Sequence, residues 1–431
     1  MKKVLIISYY WPPSGNVGVL RNLKFVKYLR AFGWEPIVVV PQNADYAQID
    51  PNLEKDIPEG VKVIRLPIVE PFGLFRLFTG RKQADKTNPV YVRQNNAGLL
   101  DQLSIWARGN LFIPDARFLW IKPTVKYLTK YLKDYPVDAI LTDGPPHTNT
   151  VIGQQLSEKT DIPWLADFQD PWTQVDYYKM LKIGKRADRK HRRLEQATFK
   201  TAKKITIASP TWKKELEQIG ASNVDVVYYG YDETDFENLT VKPSTEEFVI
   251  SHAGVLGIDR QPDTFLKAIA ELLDENEAFK KSLKLRFAGV VDYTIKETIA
   301  SLGLNDYFED LGFIHRKEAL KLMLTSHVLL LPVNKADNAK GRLPGKIYEY
   351  LRAGNPILSL GPKGSDVEVI LRNTGNGKNF EYDDYASLKT FILECFNKTF
   401  TPKSKDIESF SNYKQTQKLA GFLNAIVDVE K

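Results

Sequence analysis

One cysteine, Cys395, occurs in 431 residues. No internal disulfide can form, which excludes a disulfide-stapled extracellular scaffold and makes a reducing, cytoplasmic compartment the expectation. The thiol lies on a helix-like stretch and reads as core. No run approaches the roughly 20 consecutive apolar residues that a membrane-spanning helix needs, so any membrane contact is expected to be peripheral. The opening MKKVLIISYYWPP imitates a short signal peptide, yet its apolar run stops at Trp11-Pro12-Pro13 and no small-residue cleavage site follows. It reads as a buried first strand. The dinucleotide fingerprint Gly-x-Gly-x-x-Gly is missing, which argues against a nicotinamide enzyme. No Asp-x-Asp occurs to hold a divalent ion on a diphosphate, and His191, His252, His315 and His327 show no metal-ligand spacing with His147. A metal-independent site without cofactors is expected.

What is present is a globular composition, 43% hydrophobic and 26% charged, long enough for two or three domains. The net charge of +7 is local. Residues 179 to 193 hold eight basic residues and one acid, and the remainder balances. One basic patch disfavours general nucleic-acid binding. Together with Phe72, Phe75 and Phe78, which recur at helical spacing, this patch is a candidate for contact with an anionic membrane. A solvated helix beside a core-packing insertion would account for it equally well.

Hydrophobic patterning gives strand, loop, helix and strand from KVLIIS to PIVVV. The alternation resumes at DAILTD, PWLADF, KITIAS and VDVVYY, with residues 67 to 120 less regular. A second series, FVISHAG, LKLRFAG, HVLLLPV and PILSL with helices between, follows a polar linker near 230 to 247. Two α/β domains with parallel sheets are expected, with ligands in loops after the strands.

Three loops carry candidate chemistry. SYYWPPSGNVGVL places Gly15 and Gly18 where amides at a helix start could face an anion, though a plain tight turn would use the same glycines. HAGVLGIDRQPD repeats the arrangement with Gly254, Gly257 and Arg260, suited to a diphosphate or simply to a turn beside a solvated Arg. In GRLPGKIYEYLRAG, Lys346 and Glu349 share a helix face, as an ammonium for phosphate and a carboxylate for ribose hydroxyls, or as an ordinary surface pair. His147 in GPPHTN and Asp167 and Asp170 in ADFQDPW follow strands. Either carboxylate could orient or deprotonate an acceptor hydroxyl, and helix capping or a loop ion pair would account for either equally well.

In their order, YYWPPSGNVGVLRNLKFVKYL, GPPHTNTVIG, LADFQDPWT, YYGYDETDF and PGKIYEYLRAGNPIL resemble glycosyltransferase family 4, and most of all its bacterial capsule, exopolysaccharide and lipopolysaccharide branch. The resemblance implies the GT-B fold, two Rossmann-like domains facing a central cleft. Residues 1 to 230 would be an acceptor domain and 231 to 407 a donor domain, with a helix from about 408 to 431 packing back on the first. It implies retaining transfer of a sugar from a nucleoside-diphosphate sugar to a glycan or lipid-linked acceptor. Gly15 and Gly18 would lie near the donor phosphates or sugar, His147 near the donor sugar and Glu349 at the ribose, with Arg260 near a phosphate-binding Lys position. Two positions depart from the family pattern: Val255 stands where Arg is frequent, and Gly341 stands where the first Glu of a pair is usual. A nucleotide-sugar epimerase and a non-catalytic nucleotide-sugar-binding subunit are the alternatives.

Overall fold

Uninterrupted apolar runs such as VLII and IVVV suit strands covered on both faces of a parallel sheet. A computed structural model describes residues 1–16, 18–71 and 99–428. The phenylalanines at 72, 75 and 78 lie outside the described residues. The chain divides into one unit of Met1–Tyr228 with Tyr413–Lys431, and a second of Tyr229–Asn412.

The first unit is a parallel sheet of β1 (Lys2–Ile7), β2 (Trp34–Pro41), β3 (Lys62–Leu66), β4 (Ala139–Gly144), β5 (Trp164–Phe168), β6 (Lys204–Ile207) and β7 (Val224–Val226), in the order β3-β2-β1-β4-β5-β6-β7. Its helices are α1 (Gly18–Leu29), α2 (Leu99–Asn110), α3 (Ile121–Asp134), α4 (His147–Thr160), α5 (Lys185–Thr201) and α6 (Pro210–Gln218). Successive side chains of a strand point to opposite faces, so β1 feeds two cores. Leu5 and Ile7 pack with Leu128 and Ile152, while Val4 and Ile6 pack with Leu23 and Val26. The carboxy-terminal helix Asn412–Asp428 adds Leu419 and Leu423 to the second of these cores.

The second unit repeats the plan with β8 (Phe248–Ala253), β9 (Leu283–Ala288), β10 (Phe308–Gly312), β11 (Val328–Pro332), β12 (Ile357–Leu360) and β13 (Gly377–Phe380), in the order β10-β9-β8-β11-β12-β13. Around it run α7 (Asp263–Glu275), α8 (Glu277–Ser282), α9 (Tyr293–Ser301), α10 (Arg316–Thr325), α11 (Lys346–Ala353), α12 (Asp366–Thr374) and α13 (Tyr385–Phe396). Cys395 is buried on α13, and burial pushes its thiol up to about 12, so it packs rather than reacts. Among the described residues no helix is long and apolar enough to cross a membrane.

Candidate functional site

Each sheet reverses its strand order once, between β1 and β4 and between β8 and β11. Doubly wound sheets open a ligand crevice beyond the carboxyl ends at such a point, so the residues leaving these strands are the ones that matter.

In the first unit the glycine loop does not form the expected anion nest. The Gly15 amide donates to the Gln48 carbonyl at 2.9 Å, and the Gly18 amide to Asn16 Oδ1 at 3.0 Å. Both donors are spent within the protein. A Cβ at position 18 would come within 3.2 Å of Gln169 Oε1, a tight approach to a buried side chain.

His147 opens α4 at the carboxyl end of β4 and lies flat against Trp172, ring centroids 4.2 Å apart and 3° from parallel. It is buried, and its Nδ1 has no hydrogen-bond partner. Burial, aided by His191, holds its pKa down to about 3, so the ring is neutral at physiological pH. A neutral imidazole can orient a hydroxyl but carries no imidazolium proton to donate.

Asp167 takes the ion-pair reading rather than the acceptor one. Arg21 grips both its oxygens, Nε to Oδ2 at 2.7 Å and Nη2 to Oδ1 at 2.8 Å, while Thr206 Oγ1 donates to Oδ1 at 2.6 Å. A carboxylate so engaged ties α1 to β5 and β6, and burial closes it to an acceptor. Asp170 sits partly exposed in the turn that follows β5, so of the two it is the one within reach of solvent.

Sequence reasoning passed over Asp143, the one acid in the otherwise apolar and small AILTDG strand. Its carboxyl is buried at the strand-order reversal and accepts from Asn22 and Asn149, each at 2.7 Å, with Ser8 Oγ at 3.0 Å. Burial outweighs these hydrogen bonds and pushes its pKa up to about 7.

In the second unit the expected residues do converge. Gly254, just after β8, has φ +124°, a conformation that favours glycine, and a Cβ on it would lie 2.5 Å from Lys346 Nζ. Its own amide donates to the Ala288 carbonyl, so the glycine admits the lysine rather than binding an anion directly. Burial, and then the charge of Arg260, pull the Lys346 ammonium down to about 7, against a smaller opposing pull from Glu349. Gly257 leads into the turn Ile258–Arg260, and Arg260 is held by its neighbour Asp259 at 2.8 Å.

Glu349, in the first turn of α11, is not alone: Arg316 Nη2 reaches its Oε1 at 2.7 Å and Asp235 Oδ2 at 2.6 Å. Burial disfavours the Arg316 charge, but Glu349 and Asp235 more than compensate and raise its pKa. No motif marked Arg316 in the sequence. Val255 is exposed, and Gly341 is buried within the turn Ala339–Gly341. Among the described residues no group of three or more His, Cys, Asp or Glu is arranged to hold a metal ion.

No protein-family model matches the sequence, and no curated protein matches it. Solved structures do. Anabaena HepE, determined in complex with UDP-glucose, superposes with a TM-score of 0.61 at 14% identity, over 99% of this chain and 100% of that one. The lipopolysaccharide outer core galactosyltransferase WaaB gives 0.56 at 12%, over 99% of each chain. A UDP-N-acetylglucosamine 2-epimerase also gives 0.56 at 12%, over 99% of each. At these identities the likeness establishes the fold, the GT-B arrangement of two parallel α/β units, and leaves the chemistry to the site.

Proposed function

We propose that the chain is a retaining glycosyltransferase, moving a sugar from a nucleoside-diphosphate donor to a hydroxyl of a glycan or lipid-linked acceptor in the synthesis of bacterial cell-surface polysaccharide. The observation that carries this reading is the convergence of Lys346 and Arg260 beside Gly254, with Glu349 held by Arg316, at the strand-order reversal of the second unit. A desolvated lysine at a helix start with an arginine nearby suits a diphosphate, and a carboxylate fixed by an arginine suits vicinal ribose hydroxyls.

In the reaction the bond from the anomeric carbon to the diphosphate oxygen breaks as the acceptor oxygen bonds to that carbon, and negative charge grows on the departing diphosphate, which takes up the acceptor's proton. Lys346 and Arg260 stabilise that charge in place of a metal ion. In the first unit Asp170 is assigned to orienting an acceptor hydroxyl and neutral His147 to hydrogen bonding with a sugar. Asp167 serves by anchoring the loop that carries Asp170.

We place the acceptor at an anionic membrane. Helix α5 buries Ala187, His191, Glu195 and Thr198 and exposes Lys185, Arg186, Arg189, Lys190, Arg192 and Arg193. Beside it α2 exposes Leu103 (60%) and Trp106 (44%). Cations next to apolar and aromatic side chains fit anionic headgroups over acyl chains. The expected result is co-sedimentation with phosphatidylglycerol vesicles and not with phosphatidylcholine ones, lost in Arg186→Glu/Arg189→Glu/Arg193→Glu. Retention of RNA with no vesicle binding would refute this placement.

The transferase reading is tested by incubating radiolabelled UDP- and GDP-sugars with the protein and bacterial membrane lipid extract. Label entering the lipid or glycan fraction is expected. Conversion of the donor sugar to its epimer without any acceptor would establish the epimerase instead, and donor binding with no turnover would establish a binding subunit.

A further inference from the structure

His252 sits at the carboxyl end of β8, fully buried, with its ring edge-on to Phe287 of β9 at 6.2 Å. Its Nδ1 lies 3.0 Å from the Leu330 carbonyl on β11 and its Nε2 lies 3.2 Å from Lys346 Nζ. With Nδ1 donating to the Leu330 carbonyl, which only accepts, Nε2 is left as the acceptor; the Val255 backbone lies against the same ring. Burial and the Lys346 charge hold the His252 pKa well below its ordinary value, which keeps the ring neutral. In that tautomer Lys346 donates to the imidazole.

We infer that His252 is a positioning residue of the donor site, holding Lys346 Nζ beside Gly254 with one N–H spent on Nε2 and the remaining two available to a diphosphate. This rests on the reading of Lys346 as a diphosphate ligand. The groups that face Lys346 agree with it. From β8 comes neutral His252. From the turn after Gly257 comes Arg260, itself paired with Asp259. From its own helix comes Glu349, whose charge is shared with Arg316 of α10. Among the described residues the hydrogen-bond partner of Lys346 is His252. An ammonium with so little solvation keeps its proton only weakly, and the acceptor at Nε2 favours the charged form. Donor binding is consequently linked to proton uptake at Lys346: affinity for a diphosphate falls as pH rises above about 7.

The test titrates UDP and GDP by calorimetry between pH 6 and 9 into the wild-type protein and three variants. His252→Asn keeps a donor toward Leu330 but is too short to reach Lys346, whereas His252→Gln places an amide oxygen near the position of Nε2. Wild type and His252→Gln are expected to lose about tenfold in affinity per pH unit above about 7, as one-proton linkage requires. His252→Asn should begin that loss at lower pH and bind at least tenfold more weakly at pH 8. Lys346→Met should bind weakly with a flat profile. A His252→Asn profile that overlays the wild type while Lys346→Met is weak overturns the role of His252 and leaves the lysine reading standing. Wild-type affinity in Lys346→Met overturns the lysine reading itself. Should the Asn variant fail to fold, nitrogen-15 NMR of the unsubstituted protein decides: a protonated Nδ1 and bare Nε2 support the inference, and the opposite tautomer refutes it.

Discussion

Arg21 and Asp167 meet through two parallel hydrogen bonds of 2.7 and 2.8 Å in a place closed to solvent, and the same guanidinium donates to the carbonyls of Val227 and Tyr228, at 2.8 Å each. One ion pair thus ties the first helix to β5 and to the chain just past β7. Breaking a buried pair by removing one partner leaves the other charge uncompensated, at a cost of about 3–5 kcal/mol. Asp167→Ala is expected to lower stability by that amount in urea denaturation, with Arg21→Ala comparable. A cost below about 1 kcal/mol would mean that the pair is not sealed.

Asp143 supplies a pH signature. Its folded pKa of about 7 lies above the ordinary carboxylate value, so below pH 4 it is protonated in both states and nothing is lost. As pH rises from 4 to 7 the unfolded chain ionises first and stability falls, levelling off above 7. Because His147 slopes the other way, the decline is read as the difference between wild-type and Asp143→Asn denaturation midpoints, which should shift against the wild type from pH 5 to pH 8.

His147 gives the opposite slope. Its folded pKa of about 3 lies below the ordinary histidine value, so stability is complete above about pH 6.5 and falls as pH drops toward 3, because the unfolded chain takes up the proton. Its ring resonances are expected to stay unshifted from pH 5 to 8. A titration near pH 6.5 would place the ring in water.

Arg316 and Glu349 form a third testable contact. Arg316→Ala releases Glu349 from its fixed orientation and should weaken nucleotide binding by about tenfold, near the 1.5–3 kcal/mol of a charge-assisted hydrogen bond. Unchanged affinity would remove Arg316 from the donor site.

How much was legible in the sequence follows from burial. The strands of VLII, IVVV, DAILTD and HVLLLPV lie inside their sheets and announce themselves by unbroken apolar runs. Of the four edge strands β7 shows in VDVVYY, but β3, β10 and β13 do not: in Phe308–Gly312 every residue retains some exposure, so no apolar run marks it. Lys346 and Glu349 could be paired because three residues on a helix share a face. Arg316 and His252 reach them from other elements, across contacts that no local spacing encodes. The glycines misled for a related reason: sequence shows that a side chain is absent, whereas only the fold shows whether the amide beside it is already bonded, as it is at Gly15, Gly18 and Gly254.

The central claim is that the second unit binds a nucleoside diphosphate through Arg260, Lys346 and Glu349. Isothermal titration of UDP and GDP into the purified protein, beside Arg260→Ala and Glu349→Ala, tests it most directly. One nucleotide should bind selectively, with each substitution costing at least about tenfold, or 1.4 kcal/mol. Binding that both substitutions leave intact, or no binding of either nucleotide, would contradict it.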